Sequence, residues 1–169
     1  MIRLHTPLTQ ADIDALEVGS KVCLSGHIYA GRDAVLPRVI ALYREGKLQE
    51  KGIVLEGSVI FHTAVSVAGV GPTSSNKLEI ENSIPILSEA GVRIHLGKGE
   101  LRPDTIAALK ENHSLYAVIP PVTALLESKT LSRRTVAYPE LGMEALYDLE
   151  VIDYPMIVAA NKGRSIYDK

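Results

Sequence analysis

Apolar residues along this chain repeat at two alternating periods, near two and near 3.6, and glycine or proline stands at nearly every change of period. A chain patterned this way reads as a mixed α/β domain, because strands and helices alternate and each has one face to bury. Residues 21–29, KVCLSGHIY, alternate as a strand and stop at Gly31-Arg32-Asp33. Val35, Leu36, Val39, Ile40 and Tyr43 then share a helical face that Gly46 ends. Pro37 fits only a first turn, which starts the regular helix at about Pro37 with 34–36 as its lead-in. Residues 57–63 read as a second strand, and Asn76 with Glu79 has the spacing of a capping box, with Ser75 a competing N-cap. That spacing opens a helix that Pro85 disturbs and Gly91 ends.

Strands are expected at 92–96 and 115–119, separated by the tight loop Gly97-Lys98-Gly99 and a helix opened by Pro103-Asp104. In the last third a short helix at 122–126, a small strand at 135–137 and a helical turn at 142–146 precede two strands, 149–153 and 156–160, split by Pro155. There is no composition break and no repeat of fixed period, so 169 residues read as one domain, 1–169.

Composition narrows the function classes. A single cysteine, Cys23, excludes an intramolecular disulfide, a four-thiolate zinc site or an iron–sulfur cluster held by this chain alone, and mid-strand it reads as a small core residue. The lack of a cysteine framework, with Pro7 close behind Met1 and no basic start before an apolar run, leads us to expect a cytoplasmic protein. No apolar run approaches the roughly 18 to 20 residues of a membrane span. Eighteen basic against 20 acidic residues, with one Phe and no Trp, give no footing for nucleic acid.

Three glycine-bearing loops each follow an expected strand and each carry a cation or hydroxyl: Gly31-Arg32-Asp33, the stretch 71–77 with Thr73, Ser74 and Lys77, and Gly97-Lys98-Gly99. If the strands are parallel neighbours, these loops meet at the carboxyl edge of the sheet, where α/β folds bind ligands. Arg32, Lys77 and Lys98 would suit carboxylates or phosphates. No P-loop or dinucleotide fingerprint occurs, because Gly69-Val70-Gly71 lacks its third glycine. The five histidines include no pair at i, i+4, and His27, His62 and His95, each in or at the end of an expected strand, read first as structural residues. His62 stands out because it leads into the Thr73 loop, where it could orient a substrate or a water.

Six motifs in order then carry a resemblance: GRDA at 31–34, GPTS at 71–74, GKG at 97–99, ELGMEAL at 140–146, LEVIDYPMIV at 149–158 and NKGRSIYD at 161–168. Together they resemble the β subunit, or C-terminal domain, of the class I iron–sulfur hydro-lyases, the class I fumarases and L-tartrate dehydratase. The resemblance implies a swivelling β/β/α three-layer fold closing over a small dicarboxylate. It implies a 4Fe-4S cluster held by a separate α subunit, in a heterodimer or heterotetramer. It further implies Arg32 and Lys98 as substrate-carboxylate ligands and Thr73 at the reacting carbon, with Ser74 and Lys77 in the substrate-binding set. An alcohol deprotonates only at high pH, so Thr73 is either an activated base or a positioning group beside a base on the α subunit.

Departures from the family pattern mark a divergent branch. Lys77 stands where the family has arginine, which keeps the charge and loses the bidentate fork. Pro120-Pro121 replaces a glycine pair, and Leu36-Pro37 stands where a histidine is common. The expected activity is reversible hydration of a small dicarboxylate. The alternative is a non-catalytic dicarboxylate-binding or regulatory module on the same fold.

Overall fold

The computed structural model describes residues 1–66, 69–70, 77–119 and 123–168, with the side chains of 66, 69–70, 77–80 and 123–124 outside the description. In chain order the elements are β1 (Ile2–His5), α1 (Gln10–Asp14), β2 (Lys21–Ala30), α2 (Leu36–Glu45), β3 (Val59–Phe61), β4 (Val65–Ser66), β5 (Gly69–Val70) and α3 (Lys77–Glu89). There follow β6 (Ile94–Gly97), α4 (Pro103–Glu111), β7 (Leu115–Val118), α5 (Thr123–Ser128), β8 (Thr130–Ala137), β9 (Leu146–Asn161) and β10 (Arg164–Ser165). The result is a single α/β domain on a mixed sheet. Among the described residues no helix is long and apolar enough to cross a membrane.

Strands β2, β3, β6 and β7 run parallel in that spatial order, and β9 pairs antiparallel with both β7 and β2. The pairing therefore closes into a five-strand ring, with β1 on β2 and β8 on β9 as additions. Strand alternation decides what fills it. Val22, Leu24 and Ile28 of β2, Phe61 of β3, Leu96 of β6, Ala117 of β7 and Leu149, Val151 and Tyr154 of β9 all belong to one buried cluster. Phe61 and Tyr154 meet edge to face, their ring centroids 6.4 Å apart. Residues of opposite parity turn outward to the helices: Ile60 packs with Val39, Leu87 and Val92, while Tyr116 packs with Leu109 and Ile84.

Several expectations hold in detail. α2 begins one residue before Pro37 and ends at Gly46, whose φ of +70° is the left-handed cap that glycine favours. Pro103 opens α4 as expected. Other expectations need correction. Pro85 lies inside α3, which continues through it to Glu89. Pro155 does not split the last strands, because β9 runs unbroken for 16 residues. Pro155 stands in register opposite Cys23, and the irregularity at Leu24/Gly26 falls two residues earlier in β9, where Asp153 takes a φ of +49°. A missing N–H is tolerated there because β8 pairs β9 only as far as Val151 and β7 only from Ile157, so Pro155 is paired on one edge alone. The strand expected at 135–137 is the end of the eight-residue β8, and the turn at 142–146 is a 3-10 segment, Pro139–Glu144. Cys23 is not a core residue: it alternates with buried Val22 and Leu24, is half-buried, and donates its thiol to Met1 Sδ at 2.8 Å.

Candidate functional site

The register of the parallel strands levels their carboxyl ends, with Ala30 beside Phe61, Phe61 beside Leu96, and Gly97 beside Val118. Backbone hydrogen bonds carry the alignment one residue beyond the strands: Gly31 N–H donates to Phe61 O and His62 N–H to Leu96 O, both at 3.0 Å. The Arg32 loop, His62 and the Lys98 loop are therefore consecutive along one edge. Two of the three loops of the sequence pattern thus share an edge, and the third, 71–77, lies outside the described residues up to Lys77.

Glycine at two of these positions answers to packing. A Cβ on Gly31 would stand 2.8 Å from Val35 Cγ1, and one on Gly97 2.9 Å from the Tyr116 hydroxyl. Each loop thus leaves its strand pressed against the layer below.

Arg32 is held as it leaves β2. Its Nε donates to Glu144 Oε1 at 2.5 Å and lies 3.8 Å from Asp33 Oδ1, and the side chain is 19% exposed. Glu144 comes from the ELGMEAL motif, so the structure joins two motifs that are more than 100 residues apart. Val35 and Leu36 N–H groups both donate to Arg32 O, which fixes the loop as the lead-in to α2. Lys98 is exposed and makes no ion pair among the described residues. Thr73 and Ser74 lie outside the described residues. Lys77 opens α3, and its side chain is outside the description.

Behind the edge, on the helix-facing side of the sheet, His62 Nε2 and His95 Nδ1 are 2.9 Å apart, and His95 Nε2 is 2.9 Å from Ser88 Oγ of α3. Both rings are fully enclosed. Burial, which penalises the charged imidazolium, brings His62 down to about 4. Burial also holds His95 well below its usual value, with the neighbouring His62 acting in the same direction. His95 and Ser88 carry no motif, and Glu144, though within ELGMEAL, does not stand out as a site residue. The available signal was two histidines at the matching ends of neighbouring strands, in IFH and IHL.

Beside Asp33 a groove of about 440 Å³ opens between α2 and α3, lined also by Pro37, Arg44, Asn82 and Ser83. A smaller cavity of about 210 Å³ lies at the amino end of β3, near His27, Glu56 and Asp148, away from these loops. Among the described residues no group of three or more His, Cys, Asp or Glu is placed to hold a metal ion.

Fold and edge together define a small α/β domain with a cation-bearing carboxyl edge. The chain belongs to the Fumarase C-terminus family, whose model matches residues 1–169. Similar proteins include the anaerobic class I fumarate hydratase of Escherichia coli, 25% identical over 99% of this chain and 32% of that protein. Fumarate hydratase 2 of Leishmania major is 26% identical over 90% of the chain and 28% of that protein. The L(+)-tartrate dehydratase subunit beta of Escherichia coli is 29% identical over 92% of the chain and 81% of that protein. The chain thus spans about a third of the fumarases it matches and most of the tartrate dehydratase subunit. The relatives carry hydro-lyase names.

Proposed function

We propose that this chain is the substrate-clamping β-type domain of a class I hydro-lyase, adding or removing water on a small dicarboxylate such as fumarate/malate or a tartrate-like acid. The observation that carries the reading is the parallel adjacency of β2, β3 and β6, which sets the Arg32 loop, His62 and the Lys98 loop side by side. β2 and β6 are two strand spacings apart, about 10 Å. Long cationic side chains reaching inward from both can grip the two carboxylates of a four-carbon acid. Fixing both ends orients the reacting carbon–hydrogen and carbon–hydroxyl bonds, and the cations stabilise the enolate-like charge that develops on one carboxylate. Thr73 would act at the reacting carbon, with Ser74 binding substrate and Lys77 acting in the choice of acid.

A hydro-lyase of this class implies a 4Fe-4S cluster. The donors on this chain do not fit one: its single thiol is Cys23, on β2 and engaged with Met1, away from the carboxyl edge. We assign the cluster to a partner α subunit, the whole as a heterodimer or heterotetramer in the cytoplasm, with residues 1–169 as one swivelling β/β/α domain that closes on it. The test is hydration of fumarate or dehydration of tartrate by the chain combined anaerobically with its cluster-bearing partner. Arg32→Ala and Lys98→Ala are each expected to raise KM by about tenfold or more, at about 1.4 kcal/mol per decade. A complex that turns over no dicarboxylate defeats the reading.

A further inference from the structure

Ser88, His95 and His62 form a hydrogen-bonded chain running from α3 along the sheet to its carboxyl edge. The three residues are 2%, 0% and 3% exposed. The chain ends on an unpartnered atom: His62 Nδ1, on the side of the ring away from His95, is buried and has no hydrogen-bond partner among the described residues. A buried polar group left in that state is rare and marks a place that something else fills.

Counting protons fixes which group His62 presents. Two neutral arrangements satisfy the two observed contacts. In the first, Ser88 Oγ–H donates to His95 Nε2, His95 Nδ1–H donates to His62 Nε2, and His62 carries its proton on Nδ1. In the second, every bond is reversed: His62 Nε2–H donates to His95, His95 Nε2–H donates to Ser88, and His62 Nδ1 is a bare acceptor. The second leaves both the Ser88 O–H and the His62 Nδ1 lone pair without partners, because Ser88 Oγ has no acceptor besides His95 among the described residues. The first leaves only His62 Nδ1–H unpaired. Burial keeps both rings uncharged, so no doubly protonated ring competes.

We propose that Ser88 and His95 lock His62 as the neutral tautomer with its proton on Nδ1, and that this N–H is a substrate-oxygen donor seated between the Arg32 and Lys98 loops. The proposal rests on the function proposed above. His62 stands directly between these loops, next to Gly31 through Phe61 O and next to Gly97 through Leu96 O. A neutral imidazole is suited to that place. It donates a hydrogen bond to a carboxylate oxygen without surrendering the proton, and the bond strengthens as charge builds on that oxygen. His95 and Ser88 are positioning residues that act through His62.

The test is nitrogen-15 NMR of histidine-labelled full chain, alone and with its cluster-bearing partner, with L-malate as the probe. The expected result at pH 6–8 is a protonated, pyrrole-type Nδ1 and a pyridine-type Nε2 on His62, with Nδ1 shifting on L-malate addition together with the Gly31 and Gly97 amides. A pyridine-type Nδ1 overturns the tautomer assignment. Shifts at Gly31 and Gly97 without one at His62 overturn the subsite and leave the proposed function standing. Shifts at none of the three overturn both. A complex lacking hydratase activity whose His62 still responds keeps the subsite and defeats the reaction. In an active complex, His62→Gln preserves an amide where Nε2 meets His95 but has no group at Nδ1. It is expected to raise KM about tenfold while unfolding close to wild type, and an unchanged KM overturns the proposal. Ser88→Ala should weaken the Nδ1–H signature and Ser88→Thr restore it.

Discussion

Arg32 reaches the carboxyl edge already bound, its Nε to Glu144 and its backbone carbonyl to the start of α2. Orientation is therefore imposed on the guanidinium before a ligand arrives. Glu144→Ala removes that hold and leaves the charge of Arg32 in place. The pair is partly solvated, so its loss should cost about 1 kcal/mol or less of stability, a few degrees at most in Tm. KM should nevertheless rise by about threefold to tenfold, because a misdirected cation binds the carboxylate poorly. Steady-state kinetics beside a melting curve separates the two effects, and a large Tm loss with unchanged KM would make Glu144 structural only. The buried histidines give a second residue-scale prediction. His62 is neutral in the folded chain down to about pH 4, whereas the unfolded chain takes up that proton near the ordinary value of 6.5. The unfolded state then binds more protons in between, so stability is complete above about pH 7 and falls as pH drops from 6.5 towards 4. His62 alone should remove about 3 kcal/mol by pH 4, and His95 acts in the same direction. Urea midpoints at pH 7.5, 6 and 5 should decline in that order. A His62→Gln, His95→Gln double variant should flatten the slope, and a flat wild-type profile would show that the rings are charged in the fold.

Between elements, one buried carboxylate ties two helices. Glu81 of α3 is 3% exposed, and its Oε1 accepts from the Arg102 backbone N–H at 2.6 Å, just where α4 begins without a side-chain cap of its own. Glu81 Oε2 also lies 3.4 Å from Arg102 Nε. Glu81→Ala strands an N–H at a helix start, which should cost about 2 kcal/mol, or roughly 4 to 8 °C in Tm for a chain of this length. Calorimetry of the purified variant checks it. The same scale shows which elements the sequence discloses. β2, α2 and α4 declare themselves because one face is apolar and glycine or proline marks their ends. β8 hides because most of it is exposed, with Ser132, Arg133 and Arg134 in its middle, so it has no apolar alternation to read. β9 hides because proline is a reliable breaker only where both edges of a strand are paired, and Pro155 pairs with β2 alone, between the stretches of β9 that meet β8 and β7. The Ser88–His95–His62 chain was illegible for a related reason. His62 stands out by its place before the Thr73 loop, but Ser88 and His95 are unremarkable in their own elements, and only the pairing of β3 with β6 brings the histidines together.

Ring closure joins residues 21–30 to 146–161 across almost the whole length of the chain, and it fixes the carboxyl edge from below while nothing in this chain's described residues covers Lys98 from above. An edge held in that way should bind anions by charge but not enclose them. Calorimetry on the isolated chain should therefore find L-malate or fumarate bound with a Kd in the millimolar range, and binding should weaken by several-fold when ionic strength rises from about 0.05 to 0.5 M, as screening of exposed cations requires. Adding the cluster-bearing partner should tighten binding by about tenfold or more and blunt the salt dependence, because enclosure removes water and desolvated charges are screened less. The comparison also separates the two functions that the sequence left open. A substrate-clamping half of an enzyme needs its other half to bind well. Tight binding by the isolated chain, unchanged by the partner, would instead make this domain a self-sufficient dicarboxylate sensor.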